Sequence, residues 1–382
     1  MPTSKNTSAP TASSSRRGAR TPAAAAPRRV AVIGAGIAGL ACARTLAQAG
    51  CEVTVFEKSR GYGGRMSCRS TPFGGFDHGA QYFTVRDARF AQALQIHPGL
   101  CRPWAANTVR VLDPLGRVVE AAAQRPDTQV VPAPGMNALG AAWAQPLAEA
   151  GRVHLQTRVT AIARDTVDPN RWQLATESDD LSPQVHAGFD QVLLAIPAPQ
   201  ATDLLRASAV APGLLAALAP VRMAPCWTLM VAFPQATQPG LTQFGPQWDA
   251  ALSAHHRVAW LARESSKPGR GPIERWTVQA SVDWSQEHVQ DDPQRVVAKL
   301  LKGFAEITGI RAEPAHAHAH RWLYAKTVQP LGQEHLWDAQ LGLGLCGDWC
   351  LGHRVENAFV SGLTLALAAL RAPAGARAGR GR

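Results

Sequence analysis

The residues of this sequence with the clearest chemical potential form a glycine-rich turn suited to binding phosphate. The pattern GxGxxG occupies Gly34, Ala35, Gly36, Ile37, Ala38 and Gly39. Glu57 follows Gly34 by 23 residues, close to the spacing at which an acidic residue accepts hydrogen bonds from a nucleotide ribose. Backbone N–H groups of such a turn, and the positive end of the helix after it, hold a pyrophosphate. The spacing predicts a dinucleotide site whose acidic charge would repel a 2′-phosphate.

Two more segments separate FAD from NAD as the dinucleotide. Just beyond the acidic residue, the chain carries a glycine pair followed by arginine, in a stretch that includes Lys58, Gly64, Arg65 and Met66. Much later, Gly347 and Asp348 stand between a short apolar strand and the last helix. Both segments resemble FAD motifs of the flavin amine oxidase superfamily. The resemblance implies that Arg65 binds pyrophosphate and that Asp348 binds the ribityl chain or pyrophosphate.

A narrower resemblance covers about 30 to 370 of the chain. The segments Phe76–Thr84, Arg263–Arg270 and His320–Ala325 resemble bacterial renalase-like proteins. The stretch Gly347–Gly362 resembles the same proteins, and includes Arg354, Val355, Glu356, Ala358 and Ser361. This resemblance implies an FAD-dependent oxidoreductase that takes a hydride from a small donor.

The resemblance also implies where noncovalent FAD lies. Val159 and Ala195–Pro197 are expected along its adenosine half, and Gly79, Ala80 and Gln81 near the isoalloxazine. Val355, Glu356 and Ala358 are expected to contact FAD, because the helix from Glu356 onward would point its positive end at the flavin pyrimidine. Cys350 is close by, but its surroundings are not the motif of the amine oxidases that attach FAD to cysteine.

The donor implied by the resemblance is a misreduced isomer of NAD(P)H, with hydride passing to flavin N5. Dioxygen would reoxidise the flavin and yield hydrogen peroxide. The sequence carries no second strand–GxGxxG–helix unit, because Leu341–Gly344 lacks the third glycine and the partner acid. The donor is therefore expected to enter the substrate pocket itself, where hydride transfer needs no protein nucleophile.

Aromatic and basic residues near the end of the chain are the candidates for contacting this donor. An aromatic wall that stacks on a nicotinamide ring is predicted from Trp322, Tyr324 and Trp349, although core packing is the commoner role for any single tryptophan. The carboxamide or phosphate of the donor is expected to bind to His78, His320, His353 and Arg354. His316, His318 and His320 share one face of a strand, but no nearby Cys or acid completes a metal shell, so no metal is predicted.

Two other functions remain open from the sequence. One is a flavin amine oxidase or desaturase acting on another small substrate. The chain has only three tyrosines, Tyr62, Tyr82 and Tyr324, so the paired-tyrosine cage of many amine oxidases has no assignment here. The other is a dinucleotide-fold protein that binds a partner without redox chemistry.

The elements that must position these residues begin with a β-α-β unit. A strand at Arg29–Ile33, a helix at Ile37–Ala49 and a strand at Glu52–Phe56 are typical of a parallel sheet. Later elements are expected at Val153–Ala163 (strand or hairpin arm), Gln191–Ile196 (buried strand), Trp276–Val282 (half-exposed strand), Asp292–Gly309 (helix), Leu343–Cys346 (strand) and Glu356–Leu370 (helix).

These elements, with the resemblance, predict an α/β fold with two interleaved domains. A Rossmann-like FAD-binding domain would comprise 29–90, 136–200 and 337–371. An α+β substrate domain built on an antiparallel sheet would comprise 91–135 and 201–336. Residues 1–28 and 372–382 are expected to be disordered tails, since they lack apolar periodicity.

Composition narrows the class of partner. The net charge of +11 suggests nucleic acid, yet residues 30–370 carry 29 basic and 28 acidic side chains, so the excess belongs to the ends of the chain. Seven cysteines without a CxxC pair favour a reducing compartment. No apolar run is long enough to span a bilayer. A cytoplasmic protein with a small-molecule substrate and dioxygen as oxidant, and without nucleic-acid or membrane partners, is therefore predicted.

Overall fold

The computed structural model describes residues 26–105, 109–121, 127–178, 181–237 and 245–371. The predicted disordered tails lie outside this part of the chain, except for 26–28. Arg28 donates a hydrogen bond from Nη1 to Ala369 O over 2.6 Å. The boundary predicted for the first tail is therefore slightly too late, because Arg28 is anchored to the last helix.

The described elements run through the chain in this order. The strands are β1 Arg29–Ile33, β2 Glu52–Phe56, β3 Cys68–Thr71, β4 Gly74–Asp77, β5 Cys101–Pro103, β6 Val109–Leu112, β7 Val118–Ala121, β8 Val130–Pro132, β9 Val153–His154, β10 Thr157–Arg164, β11 Trp172–Ser178, β12 Leu181–Phe189, β13 Gln191–Leu194, β14 Arg222–Phe233, β15 Ala250–Ser253, β16 Val258–Arg263, β17 Glu274–Ala280, β18 His316–Gln329, β19 Leu336–Asp338 and β20 Leu343–Leu345. The α-helices are α1 Ile37–Gln48, α2 Ala88–Leu94, α3 Asn137–Glu149, α4 Ala198–Ala207, α5 Pro212–Leu218, α6 Val282–Glu287, α7 Pro293–Thr308 and α8 Val355–Arg371.

The first unit is a six-stranded sheet in the order β19-β20-β13-β1-β2-β9. β1 pairs in parallel with both β2 and β13, and β13 pairs in parallel with β20. The predicted β-α-β unit is confirmed, with α1 ending one residue before the expected Ala49. Parallel strands joined by helices place their carboxyl ends at one edge, where an α/β sheet binds its ligand.

Helices α1 and α8 cover this sheet and contact each other closely. A Cβ on Gly362 would lie 2.0 Å from Ala38 O, so only glycine permits this approach. Phe359, Leu365 and Ala366 of α8 share the buried core that includes Leu40 of α1. The close packing brings the first turn of α8 beside the glycine-rich turn before α1.

The second unit is a seven-stranded sheet in the order β18-β14-β17-β16-β15-β6-β7. Helix α7 packs on one face; Asp292 caps its beginning, and Gly309 (φ of 74°) ends it, as the sequence predicts. The prediction of a half-exposed strand at Trp276–Val282 is wrong. β17 has Trp276 and Thr277 buried on opposite faces, because Trp276 packs against α7 on one side and Thr277 donates to the buried Glu264 on the other.

A second correction concerns Val153–Ala163, predicted as one strand or hairpin arm. The chain divides there into β9, which extends the six-stranded sheet beside β2, and β10, which belongs to a three-stranded sheet with β11 and β12. Gln156 separates them with a left-handed φ of 52°, which ends the first strand. The three-stranded sheet brings Thr157 to Thr160 alongside the first unit's ligand-binding edge. Within the described residues, no helix combines the length and apolar character needed to cross a membrane.

Candidate active site

A cavity of about 1260 Å³ lies between the two large sheets. This volume exceeds the range of about 300–1,000 Å³ that holds most small ligands, as a dinucleotide with a second molecule would require. Of the predicted cofactor residues, the ones that line it are Gly34, Gly36, Ile37, Ala38, Glu57, Lys58, Gly64, Arg65, Met66, Gly79, Ala80, Gln81, Val159, Gly347, Asp348, Val355 and Ala358. The glycine-rich turn near the start of the chain and the Gly347 turn near its end therefore line the same cavity.

The glycine-rich turn fits a pyrophosphate. Gly34 has φ of 107°, and a Cβ there would lie 2.6 Å from Ala195 O. A Cβ on Gly36 would have no atom within 4 Å, so the backbone faces open space there. Gly39 does not line the cavity; its missing side chain lets α1 approach Gly34 O, which a Cβ would meet at 1.9 Å. These three positions match the roles of turn, ligand approach and helix packing.

Glu57 is buried and holds the turn as well as lining the cavity. Its Oε2 accepts from Ala35 N over 2.7 Å, and its Oε1 accepts from Ser59 N over 2.8 Å. Each carboxylate oxygen can accept more than one hydrogen bond, so the group retains capacity for ribose hydroxyls. The sequence did not predict this second role, which couples the ribose end of the site to the shape of the phosphate turn.

Arg65 and Asp348 contact each other across the cavity. Arg65 donates from Nη1 to Asp348 Oδ2 over 2.9 Å and from Nη2 to Oδ1 over 2.5 Å. Thr327 adds a hydrogen bond to Oδ2 over 3.3 Å. Arg65 was expected to make a bidentate contact with pyrophosphate; in this structure its bidentate partner is Asp348. The pair joins segments 283 residues apart at the centre of the predicted FAD site.

The first turn of α8 lines the cavity through Val355 and Ala358. Glu356 does not: its buried Oε1 accepts from Arg86 N over 2.6 Å and from Asp87 N over 2.7 Å. The expectation that Glu356 contacts the cofactor is corrected, because its carboxylate anchors the loop before α2. The helix end itself remains available to stabilise negative charge.

The segment from His78 to Tyr82, which we call the 78–82 wall, forms one side of the cavity. Arg65 O accepts from Ala80 N over 2.8 Å, and a Cβ on Gly79 would lie 2.0 Å from the same oxygen. Gln279 donates to Gly79 O over 2.7 Å, and Trp322 Nε1 donates to His78 O over 2.9 Å. The backbone of the wall is thus fixed by the turn at Arg65 and by β17 and β18 of the seven-stranded sheet.

Two neutral imidazoles lie beside this wall. His78 stacks on Trp322 with ring centroids 5.2 Å apart, and His320 lies 4.8 Å from His78. Burial, with the charges of His320 and Arg69, lowers the pKa of His78 to about 3. Burial, with Arg69 and His318, lowers the pKa of His320 to about 4. Both rings are therefore uncharged at neutral pH, and act as hydrogen-bonding groups rather than as cations.

Two cations lie near His353 in the cavity. His353, Arg354 and Lys326 line it, as do Tyr324 and Arg321, although the Arg321 guanidinium donates to Val289 O over 2.6 Å. Burial, followed by the charge of Lys326, lowers the pKa of His353. The local electrostatic environment thus disfavours any additional positive charge.

Trp349 is not part of an aromatic wall, which corrects that prediction. Its side chain is fully buried in the core behind the six-stranded sheet, and its Nε1 donates to Ile196 O over 3.0 Å. The indole lies under Gly347, where a Cβ would meet Trp349 Nε1 at 2.3 Å. Trp349 therefore supports the Gly347 turn from beneath.

Sequence reasoning missed three residues of the seven-stranded sheet that line the cavity. Gln279 pairs across strands with Trp260, which in turn pairs with Leu252. All three line the cavity, and the Trp260 indole is 7% exposed. The alternation along β17 could have indicated Gln279, but the pairing with β16 is a long-range contact that no local pattern carries.

The cysteines and histidines support neither a covalent flavin link nor a metal site in the described part. All seven cysteines are free. Burial raises the pKa of Cys350 to about 12, so its thiolate form is scarce at neutral pH. Among residues with assigned positions, no group of three or more His, Cys, Asp or Glu side chains has metal-binding geometry.

The fold and site together define an oxidoreductase that uses FAD. Residues 32–95 match the family described as NAD(P)-binding Rossmann-like domain, and residues 119–370 match flavin containing amine oxidoreductase. The second match covers most of the chain, so the protein belongs to the flavin-containing amine oxidoreductase family. This family membership favours redox chemistry over the alternative of a dinucleotide-fold protein that only binds a partner.

Solved structures share this fold at low sequence identity. A putative protoporphyrinogen oxidase from Exiguobacterium sp. 255-15 is 15% identical, with a TM-score of 0.68 over 89% of this chain and 98% of that one. Putrescine oxidase bound to putrescine is 12% identical, with a TM-score of 0.64 over 90% of this chain and 99% of that one.

Hydroxyneurosporene desaturase from Cereibacter sphaeroides is 46% identical over 59 residues, which are 15% of this chain and 12% of the desaturase.

Proposed function

We propose that this FAD-dependent oxidoreductase oxidises a misreduced, isomeric NAD(P)H, the renalase-like activity. Bound FAD would supply hydride acceptance and reoxidation by dioxygen to hydrogen peroxide. The observation that carries the proposal is the charge of the cavity. Six cationic residues line it: Lys58, Arg65, Arg158, Arg321, Lys326 and Arg354. Arg65 is paired with Asp348, and the Arg321 guanidinium donates to Val289 O over 2.6 Å, whereas burial, and then the charges of Lys326 and Arg354, lower the pKa of His353.

The carboxylates that line the described cavity are already engaged. Glu57 accepts from two backbone amides, Asp348 is paired with Arg65, and the exposed Asp203 lies 3.5 Å from Arg206. An amine cation such as putrescine therefore lacks a carboxylate partner at the His353 and Arg354 end. A phosphate-bearing substrate finds cations there instead, which attract it and speed its association.

Each group of cavity residues then has a task. The Gly36 turn would hold the pyrophosphate of FAD, and Glu57 would hold its ribose. Arg65 and Asp348 would contact the middle of FAD, at the pyrophosphate and the ribityl chain. Trp322 and Tyr324 offer flat apolar faces to a nicotinamide ring. The neutral His78 and His320 offer a donor and an acceptor to its carboxamide.

Anaerobic mixing of the FAD-loaded protein tests the proposal. The isomeric dihydro forms made by borohydride reduction of NAD⁺ should bleach the flavin absorbance, and putrescine should not. R354Q should weaken binding of the isomeric dinucleotides about 10-fold or more, since charged hydrogen bonds contribute about 1.5–3 kcal/mol. R117Q, which removes an exposed arginine outside the cavity, is the matched control.

Oxidation of an amine is the alternative, and family membership favours it. Bleaching by putrescine, with no response to the isomeric dinucleotides, would establish this alternative and overturn the proposal. A desaturase activity rests on the short match to hydroxyneurosporene desaturase. It would show as bleaching by an apolar polyene that still carries a saturated carbon–carbon bond, which is oxidised to a double bond as FAD is reduced.

A further inference from the structure

A group of buried charges lies directly behind the 78–82 wall. We call Asp77, Glu264, Lys267 and Arg270 the ionic cluster; each is at most 6% exposed. Lys267 Nζ lies 3.1 Å from Asp77 Oδ2 and 3.0 Å from Glu264 Oε1. Arg270 Nη2 lies 2.6 Å from Asp77 Oδ2. None of the four lines the cavity, so the cluster is outside the binding site described above.

The cluster joins the residue before the wall, Asp77, to two other parts of the chain. Asp77 ends β4, and its Oδ1 accepts from Met136 N, just before α3, over 2.9 Å. Glu264 follows β16, accepts from Thr277 of β17 over 2.7 Å, and accepts from Asp77 N over 3.2 Å. Lys267 and Arg270 lie in the loop between these strands. The backbone entering the wall at Asp77 is thereby fixed from two sides.

Stability alone does not account for this arrangement. Removing charges from water is costly, and apolar side chains of similar volume often stabilise a core as well as a buried ion pair does. Although burial opposes it, the charges of Lys267 and Arg270 hold the pKa of Asp77 below its ordinary value. Burial raises the pKa of Glu264. A function in directing the wall explains why such charges are placed here.

One contact connects the cluster to the cavity. Lys267 Nζ donates to Gln81 Oε1 over 3.2 Å, and Gln81 Nε2 donates to Asp77 O. Both ends of the Gln81 amide are thereby held, and Gln81 lines the cavity. We propose that Lys267 is a positioning residue that acts through Gln81 to fix the 78–82 wall against bound FAD. This proposal rests on FAD binding and not on the identity of the substrate.

Visible circular dichroism of bound FAD tests the proposal without any substrate, because the signal depends on the asymmetric surroundings of the ring. K267M and Q81L should each change this signal. The double variant should match either single variant, since both remove the same link. K299M is the matched control: Lys299 also pairs with a carboxylate, Asp291 over 3.1 Å, but on α7, away from the cavity. Its spectrum should equal that of the wild type.

The reduction rate gives an independent readout. Displacement of the wall by about 1 Å lowers the rate of a positioned reaction by about 100-fold. Flavin reduction by the borohydride-made dihydro-NAD isomers should therefore slow by about that factor in Q81L, with FAD retained. If these isomers do not reduce the wild type, the proposed function fails while the dichroism still decides the role of Lys267.

Q81L keeps the proposal testable if K267M does not fold, because it leaves the ion pairs of the cluster intact. A wild-type dichroism spectrum in Q81L overturns the proposal. So do additive changes in the double variant, which would show that Lys267 and Gln81 act by separate routes.

Discussion

Two glycines of the same turn should differ in how an added methyl group changes the stability of the protein. In Gly36→Ala, the new Cβ projects into open space, and the backbone (φ of −73°, ψ of 175°) is one that alanine adopts readily. The protein without FAD should keep its stability, or gain about 0.4–1 kcal/mol from the reduced freedom of its unfolded chain. In Gly39→Ala, the Cβ would lie 1.9 Å from Gly34 O, so α1 must move away from the turn.

The magnitudes follow from these contacts. Overpacking of this kind destabilises a protein by about 1–3 kcal/mol, and the rigid Gly34 backbone favours the upper part of that range for Gly39→Ala. For Gly36→Ala, the methyl occupies the approach of the pyrophosphate to the turn. Loss of one charged hydrogen bond, about 1.5–3 kcal/mol, lowers FAD affinity by about 10- to 150-fold.

Thermal unfolding of the apoprotein and fluorescence titration with FAD separate the two effects. Gly36→Ala should keep its melting temperature and lose affinity, whereas Gly39→Ala should lose both. Wild-type affinity in Gly36→Ala would refute the assignment of this turn to the pyrophosphate. An unchanged melting temperature in Gly39→Ala would refute the close approach of α1.

Three further outcomes are expected. Asp348→Asn removes the charge that Arg65 contacts and should weaken FAD binding about 10-fold or more in a fluorescence titration; unchanged affinity would contradict the role of this pair. Trp349→Phe removes the hydrogen bond to Ile196 O and should lower unfolding free energy by about 1 kcal/mol without changing substrate KM, whereas an altered KM would place the indole in the site. The folded protein lowers the pKa of His320 from 6.5 to about 4, so the stability linked to the neutral ring is complete above pH 6.5 and is lost as the pH falls to 4. In denaturant titrations over that range, His320→Gln should therefore lose less stability than the wild type. Parallel curves for the two proteins would contradict the pKa shift.

The sequence predicted the local parts of the fold because their signals are local. β1 and β2 have the predicted bounds, and α7 begins and ends at its capping residues Asp292 and Gly309. The seven-stranded sheet was expected only as an antiparallel sheet without assigned pairs. Its order depends on pairings such as β14 with β18, whose residues are distant in sequence.

The site was predictable where residue type alone restricts the backbone or the charge. Glycines of the phosphate turn belong to this class, and so does Asp348. Burial was harder to predict: Trp349 and Trp322 were assigned to the same aromatic wall, yet the first is a core residue and the second lines the cavity. Lys267 lay within a recognised segment, but its ionic partners come from β4 and could not be inferred from spacing.

Arg65 contacts Asp348, and α1 packs against α8, so the predicted FAD site combines residues from both ends of the described chain. A chain still emerging from the ribosome has already made the glycine turn, but it lacks β20 and the α8 turn that close the cavity. Contacts between such distant segments form slowly. The complete cavity lining therefore requires the chain through Ala358, and fragments that end before it lack part of the predicted FAD site.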